Sequence, residues 1–188
     1  ADMRANVLRL LGLPADADES HLAALCADDA FDVAALRICL SAYSQWNGKK
    51  GQGGRVVIGD WLASRPAARL EMLDELHAVL FTQKDTIRDG ASLAKFEPDF
   101  VEAAGQVLDC SLRVRDLRAL LALAERLVPA LRLGRAYALA WDEAKKREGL
   151  IDFDDQIREA ARLLGNSDHA QWIGYKLDRR FDHILVDE

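Results

Sequence analysis

Apolar residues recur at intervals of three and four along almost the whole chain, so the predicted structure is helical nearly throughout. Met3 to Leu11 reads as a short amphipathic helix stopped by Gly12 and Pro14. Asp18 to Cys26 reads as a second, with acids in its first turn, and Asp32 to Trp46 as a third. Val56 to Leu62 carries Trp61. Pro66 then stands at the first turn of a strong helix over Ala67 to Phe81, with Leu70, Leu73, Leu76, Val79 and Leu80 inward. Phe81 to Gly90 breaks the period with β-branched and polar residues, which predicts an extended arm or short hairpin. Pro98 opens a very long helical region, about Asp99 to Lys146, with a kink expected at Pro129. Lys145-Lys146-Arg147-Glu148-Gly149 closes it with cations and a glycine. Helices over Phe153 to Leu164 and Ala170 to Arg180 follow. The final residues, Asp182 to Glu188, read as a buried strand, Ile184-Leu185-Val186, tipped by Asp187 and Glu188.

Two stretches invite a chemical reading. Asn47 to Arg55 is rich in glycine and is expected to be flexible. Its cations, Lys49, Lys50 and Arg55, could wrap phosphates together with free backbone N–H groups, although a solvated loop is the plainer expectation. On the long helix, Arg113, Arg115, Arg118, Arg126, Arg132 and Arg135 fall within 23 residues that hold only two acids, Asp116 and Glu125. At ~100° per residue, Arg115, Arg118, Arg126 and Arg132 share a sector of roughly 120°. Leu117, Leu120, Leu121, Leu123, Leu127 and Leu131 cluster on the other side. Such a stripe could track a phosphate backbone, or its cations could pair with acids elsewhere on this acidic chain. An exposed, contiguous stripe favours DNA; a stripe engaged with acids favours protein contacts.

Composition narrows the field. Half the residues are apolar, 30% are charged and four are proline, the profile of a folded chain. No apolar run approaches the ~20 residues of a membrane span and no leader pattern opens the chain, so a cytoplasmic location is expected. The net charge of −6 argues against nucleic-acid binding by the average surface, though not by a local basic groove. Over the first 46 residues three arginines stand against seven acids. Cys26, Cys39 and Cys110 have no C-x-x-C or histidine spacing for a zinc site and are expected to be buried thiols. The four histidines are scattered, and no chemistry is assigned to them. Asp152, Asp154 and Asp155 could hold a divalent ion, but capping of the next helix explains them more simply. Trp172 and Tyr175 could stack on bases; core packing at i and i+3 is the plainer expectation. No complete catalytic set is present, which leaves a free-standing enzyme without support.

Three pieces in order carry a resemblance: Gly149-Leu-Ile-Asp-Phe-Asp-Asp-Gln-Ile157, Trp172-Ile-Gly-Tyr-Lys-Leu-Asp178 and Asp182-His-Ile-Leu-Val-Asp-Glu188. The series resembles the run into motif II of UvrD/Rep-type superfamily 1 DNA helicases, where a similar segment and a helix precede a strand ending in Asp-Glu. The Tyr175-Lys-Leu-Asp178 version and Phe81-Thr-Gln-Lys84 look most like the alphaproteobacterial double-strand-break repair helicase–nuclease subunits of the AddA kind. The likeness is sharp from about residue 149 and looser before it.

The resemblance implies a mainly α, multi-helix insertion subdomain, 1B-like, over residues 1–181, followed at 182–188 by the truncated motif II strand of the ATPase lobe. The chain is accordingly expected to be a piece of a larger protein, inactive alone. In the parent, Asp187 would be the Mg²⁺-associated carboxylate of the ATP site and Glu188 the base that orients the attacking water. ATP and Mg²⁺ are the implied cofactors. The implied partners are DNA, contacted through Arg115, Arg118, Arg126, Arg132, Lys49 and Lys50, and a partner nuclease/helicase subunit. A protein-interaction module that docks that subunit or the neighbouring motor lobes is the alternative.

Overall fold

The computed structural model describes residues 2–165 and 167–177. Among them stand ten helices and, beyond a single β-bridge, no sheet. The chain is mainly α, as its periodicity predicts. None of these helices is long and apolar enough to cross a membrane. The strand expected at 183–186, with Asp187 and Glu188, lies outside the described residues. The chain divides into two units, Ala1–Arg132 and Leu133–Glu188.

The first unit opens with α1 (Met3–Leu10) and α2 (Glu19–Ala24). The Asp2 carboxylate accepts the Arg4 amide at 3.0 Å, and the Asp18 carboxylate accepts that of Ser20 at 2.9 Å. His21 Nδ1 takes the Asp18 N–H in return, so both helix starts are capped. Gly12 at φ +77° ends α1 as the sequence requires. Helix α3 (Val33–Gln45) is capped by Asp32, which accepts from the Ala35 amide at 2.9 Å.

The glycine-rich stretch is not a loop. Residues from Lys49 onward form the first turns of α4 (Lys49–Ala63), entered through Gly48 at φ +135°. The reason is steric. A Cβ at Gly51 would fall 1.9 Å from the Trp46 carbonyl oxygen, and one at Gly54 would fall 2.3 Å from the Tyr43 ring. Glycines at these positions let α4 approach the end of α3, and Ile58 and Trp61 extend the same buried face.

The strong helix expected over Ala67 to Phe81 is two helices, α5 (Pro66–Glu71) and α6 (Leu73–Leu80), separated at Met72. Arg69 and Leu70 turn inward from α5; Leu73, Leu76 and Leu80 turn inward from α6. The arm after Leu80 folds as expected: Phe81 pairs with Ile87, and the Thr82 amide donates to the Thr86 carbonyl at 2.9 Å. Asp85, at φ +56°, makes the tight turn. A short α7 (Gly90–Leu93) leads to α8 (Phe100–Glu148), which continues through Pro129. Up to Val128, α8 buries mostly small residues, Ala103, Ala104, Val107, Cys110, Val114 and Ala124 among them.

One buried cation organises this unit. Arg69 spans four acceptors: Nε to the Trp61 carbonyl at 3.0 Å, Nη2 to Leu62 O at 2.9 Å, and Nη1 to Cys26 O at 3.0 Å and Asp28 Oδ1 at 2.5 Å. Its guanidinium lies 4.7 Å from the Trp61 ring centroid, and Trp61 Nε1 donates back to Arg69 O at 3.0 Å. Phe31 packs on the same indole with centroids 4.5 Å apart. The fork thus ties the ends of α2 and α4 to α5, taking up the Cys26 and Leu62 carbonyls that the helix ends leave open and sharing that of Trp61 with the Ser64 amide.

The second unit contains the end of α8, α9 (Phe153–Gly165) and α10 (Ser167–Leu177), with α9 and α10 in contact. Gly149 at φ +67° closes α8, and the Leu150 amide returns to Lys145 O at 2.9 Å. Asp152 caps α9: its carboxylate accepts the Asp155 amide at 2.8 Å while Asp155 accepts the Asp152 amide at 3.2 Å.

Arg69→Ala is expected to lower the urea-unfolding free energy by about 3–5 kcal/mol, because it strands buried acceptors. Arg69→Lys recovers only part of this, since an ammonium cannot reproduce the fork. Asp28→Ala, at a side chain 75% exposed, should cost under about 1 kcal/mol. Gly54→Ala, which forces a Cβ into the Tyr43 ring, should cost about 1–3 kcal/mol in the same assay.

Candidate nucleic-acid interface

The arginine stripe is divided in two. Val114, Arg118 and Leu121 follow one another at i, i+4 and i+7, so Arg118 rises from the stripe of α8 that packs on the core. There its Nη2 donates to Leu70 O at 2.9 Å and its Nη1 to Asp74 Oδ2 at 3.2 Å. Arg115 Nη1 donates to Asp85 Oδ1 on the arm at 3.0 Å. Arg113 Nη2 donates to the Cys110 sulfur at 3.0 Å. Arg126 and Arg132 are exposed, and among the described residues neither has an ion-pair partner. A contiguous track over Arg115, Arg118, Arg126 and Arg132 is therefore replaced by two arginines engaged with acids and two open to solvent. The leucines do not form the buried opposite face either. Leu121 is buried and Leu117 and Leu127 pack against the core, whereas Leu123 and Leu131 are exposed. The small Ala, Val and Cys side chains set the core face of α8 and bring Arg115 and Arg118 to its edge.

Lys49 and Lys50 are exposed on the first turn of α4. Lys50 Nζ lies 3.4 Å from Asp89 Oδ2 and 6.0 Å from the Trp46 ring centroid. The two lysines are among the residues the sequence singles out; Trp46, Arg88 and Asp89 beside them are not, because a glycine stretch taken as a loop places no neighbours around it.

A second constellation was also missed. His77 sits with Nδ1 3.2 Å from the Ser111 hydroxyl and Nε2 3.0 Å from Asp85 Oδ1, with Arg115 Nη1 3.3 Å away. The arrangement that satisfies each group has neutral His77 donating from Nε2 to Asp85 and accepting at Nδ1 from Ser111. Serine, histidine and aspartate thus meet, but the Ser111 side chain is buried within α8, where no substrate reaches its oxygen. The group works as a clamp between α6, the arm and α8. Burial first, then the Arg115 charge, push the His77 pKa below its ordinary value against the opposing pull of Asp85.

In the second unit Lys145 is buried among Asp142, Asp152 and Asp155, with Nζ–O distances of 3.5, 2.9 and 2.6 Å. Its hydrogen bonds to Asp155 and Asp152 raise its pKa and lower theirs. An ammonium thus occupies the position between Asp152 and Asp155 where the sequence allowed a divalent ion. Among the described residues no cluster of His, Cys, Asp and Glu has the arrangement of a metal site. Trp172 and Tyr175, expected in the core, are exposed, and Lys176 Nζ lies 5.3 Å over the Trp172 ring. All three cysteines are buried and free, and burial pushes the thiols of Cys26 and Cys39 up to about 11 and 12. Asp187 and Glu188 lie outside the described residues.

No family model, curated protein or solved structure matches this chain.

The His77 clamp has a pH signature. A histidine with a depressed folded-state pKa contributes stability that is present above its unfolded value of about 6.5 and is lost as pH falls through the folded value. The melting temperature should fall between about pH 7 and 5. His77→Gln, followed by thermal melts across that window, should flatten the slope; an unchanged slope contradicts the clamp.

Proposed function

We propose that this chain is the helical insertion of an ATP-dependent, UvrD/Rep-type DNA helicase–nuclease, and that residues 133–177 dock it against a motor lobe or partner subunit. The observation that carries this reading is the apolar face left open on α9. Phe153, Ile157, Ala160 and Leu164 recur at i, i+4, i+7 and i+11, with Phe153 82% and Ile157 67% exposed. Asp154, Arg158, Glu159 and Arg162 occupy other faces, and α9 buries no residue of its own. Leu133, Tyr137, Leu139 and Trp141 at the end of α8 are exposed as well. Apolar residues on this scale are characteristic of surfaces that another protein covers. Engagement of Arg115 and Arg118 with acids points the same way.

In such a parent, ATP hydrolysis for strand translocation and double-strand-break processing would use Asp187 and Glu188. Two hard carboxylates suit an oxygen-preferring Mg²⁺ ion, and the second would orient the water. The isolated chain is expected to have no helicase activity.

The docking reading is tested by calorimetry of this chain with the separately produced motor-lobe portion of such a parent. Association should carry a negative heat-capacity change. Phe153→Ser combined with Ile157→Ser should weaken it at least about 10-fold, or ~1.4 kcal/mol. Undiminished binding by the double variant overturns the docking face.

A second reading, DNA guidance, is favoured by Arg126 and Arg132, which are exposed and have no ion-pair partner among the described residues. Titration of a forked DNA across a salt series should then show a dependence that falls by about two phosphate contacts in Arg126→Ala/Arg132→Ala. Arg115→Ala/Arg118→Ala should leave that dependence unchanged and lower the melting temperature instead.

A further inference from the structure

Three glycines stand close together in the opening turns of α4, and only two have a reason in the packing. Gly51 and Gly54 are held against Trp46 and Tyr43, where a Cβ has no room. At Gly53 a Cβ would meet nothing within 4 Å. A glycine in a helix interior is destabilising relative to alanine, and Gly53, like Gly59 further along α4, has no close contact that requires it; its place beside a cleft is what sets Gly53 apart. It borders a cleft of about 350 Å³ between α4, the end of α3, α6 and the arm. That volume lies within the ~300–1,000 Å³ typical of small-molecule sites.

The walls of the cleft are chemically matched to one kind of ligand. Trp46 presents a partly exposed indole. Lys49, Lys50 and Arg88 bring three cations against a single carboxylate, Asp89. Arg88 uses Nε on the Phe81 carbonyl at 2.5 Å, which leaves its terminal nitrogens available. Gly48 gives α4 no side-chain cap, so the opening amides of this 15-residue helix add positive potential at the same end. An aromatic platform, a bare stretch of backbone and a group of cations together fit a flat ring joined to an anion.

We propose that this cleft binds one nucleotide unit, its base between the Trp46 ring and the Gly53 backbone and its phosphate on Lys49, Lys50 and Arg88. Stacking on an aromatic ring tolerates any base, and the cations read only charge, so recognition is independent of sequence. Asp89 opposes the phosphate; on binding, Lys50 exchanges its 3.4 Å contact with Asp89 for the anion. The site lies wholly within residues 43–89 and does not depend on the docking face or on the helicase reading.

The test is anisotropy of this 188-residue chain with fluorescein-labelled dT12 at low salt, with dAMP and inorganic phosphate as competitors. Displacement by dAMP identifies a mononucleotide site, and displacement by unlabelled dT12 alone, with binding weakened in Gly53→Ala, identifies a strand-binding site in this cleft; either supports the proposal. Gly53→Ala should weaken binding at least about 5-fold while the melting temperature stays level or rises. Lys50→Ala should weaken binding, and Asp89→Asn should tighten it by removing the opposing charge. Trp46→Leu should abolish binding, and Gly53→Ala keeps the test decisive if that variant fails to fold. The proposal is overturned by absence of binding at low salt. It is equally overturned by competition from inorganic phosphate that matches dAMP, or by affinity unchanged in both Gly53→Ala and Asp89→Asn.

Discussion

The first unit depends on Arg69 being able to bury its charge. A guanidinium taken out of water is costly unless each donor finds an oxygen, and here three backbone carbonyls, the Asp28 carboxylate and the Trp61 ring face provide the partners. Because those carbonyls close α2 and α4, neither helix can move without breaking the fork. Trp61, fixed between Arg69 and Phe31, then anchors the helix whose first turns carry Lys49 and Lys50. The cleft beside them is in this sense a product of the core: Gly51 and Gly54 set how closely α4 approaches α3, and Arg69 holds the other end of α4 in place.

Much of the fold was legible in the sequence because the signals were local. Period-3.6 patterning, Asp152 as a cap, Gly12 and Gly149 as stops and the β-branched arm each act over one or two turns, and the structure follows them. Errors arose where a distant partner decided the outcome. Asn47 to Arg55 reads as flexible because glycine in isolation favours disorder; the Tyr43 ring and the Trp46 backbone, out of sight in a local reading, convert Gly51 and Gly54 into a close-packing face. A pattern was nonetheless present, since Gly51, Gly54, Ile58 and Trp61 are spaced three, four and three apart.

The arginines teach the same point from the other side. A helical wheel placed Arg115 and Arg118 with Arg126 and Arg132, and angular position alone made them equivalent. What separates them is their surroundings: Asp85, Asp74 and the Leu70 carbonyl arrive from the arm, α6 and α5, and no property of α8 announces them. Leucines misled in a related way, because the approach of neighbouring elements selected small residues for the interface and left Leu123 and Leu131 outside. Nothing local marks Arg69 as a buried cation. Its burial could be read only once Trp61 and the Cys26 carbonyl were in position.

Two surfaces therefore carry the functional account, and they differ in chemistry. The apolar residues of 133–177 suit a protein partner, while the cleft at Trp46, Lys50 and Gly53 suits an anionic ring-bearing ligand. Docking through α9 within a helicase-type parent is the role proposed for the chain. Hydrogen–deuterium exchange of the chain, alone and with the motor-lobe portion of that parent, tests it most directly. New protection is expected over α9 and the end of α8, with the amides of residues 113–132 unchanged. Protection confined to residues 113–132, or none anywhere, would contradict it.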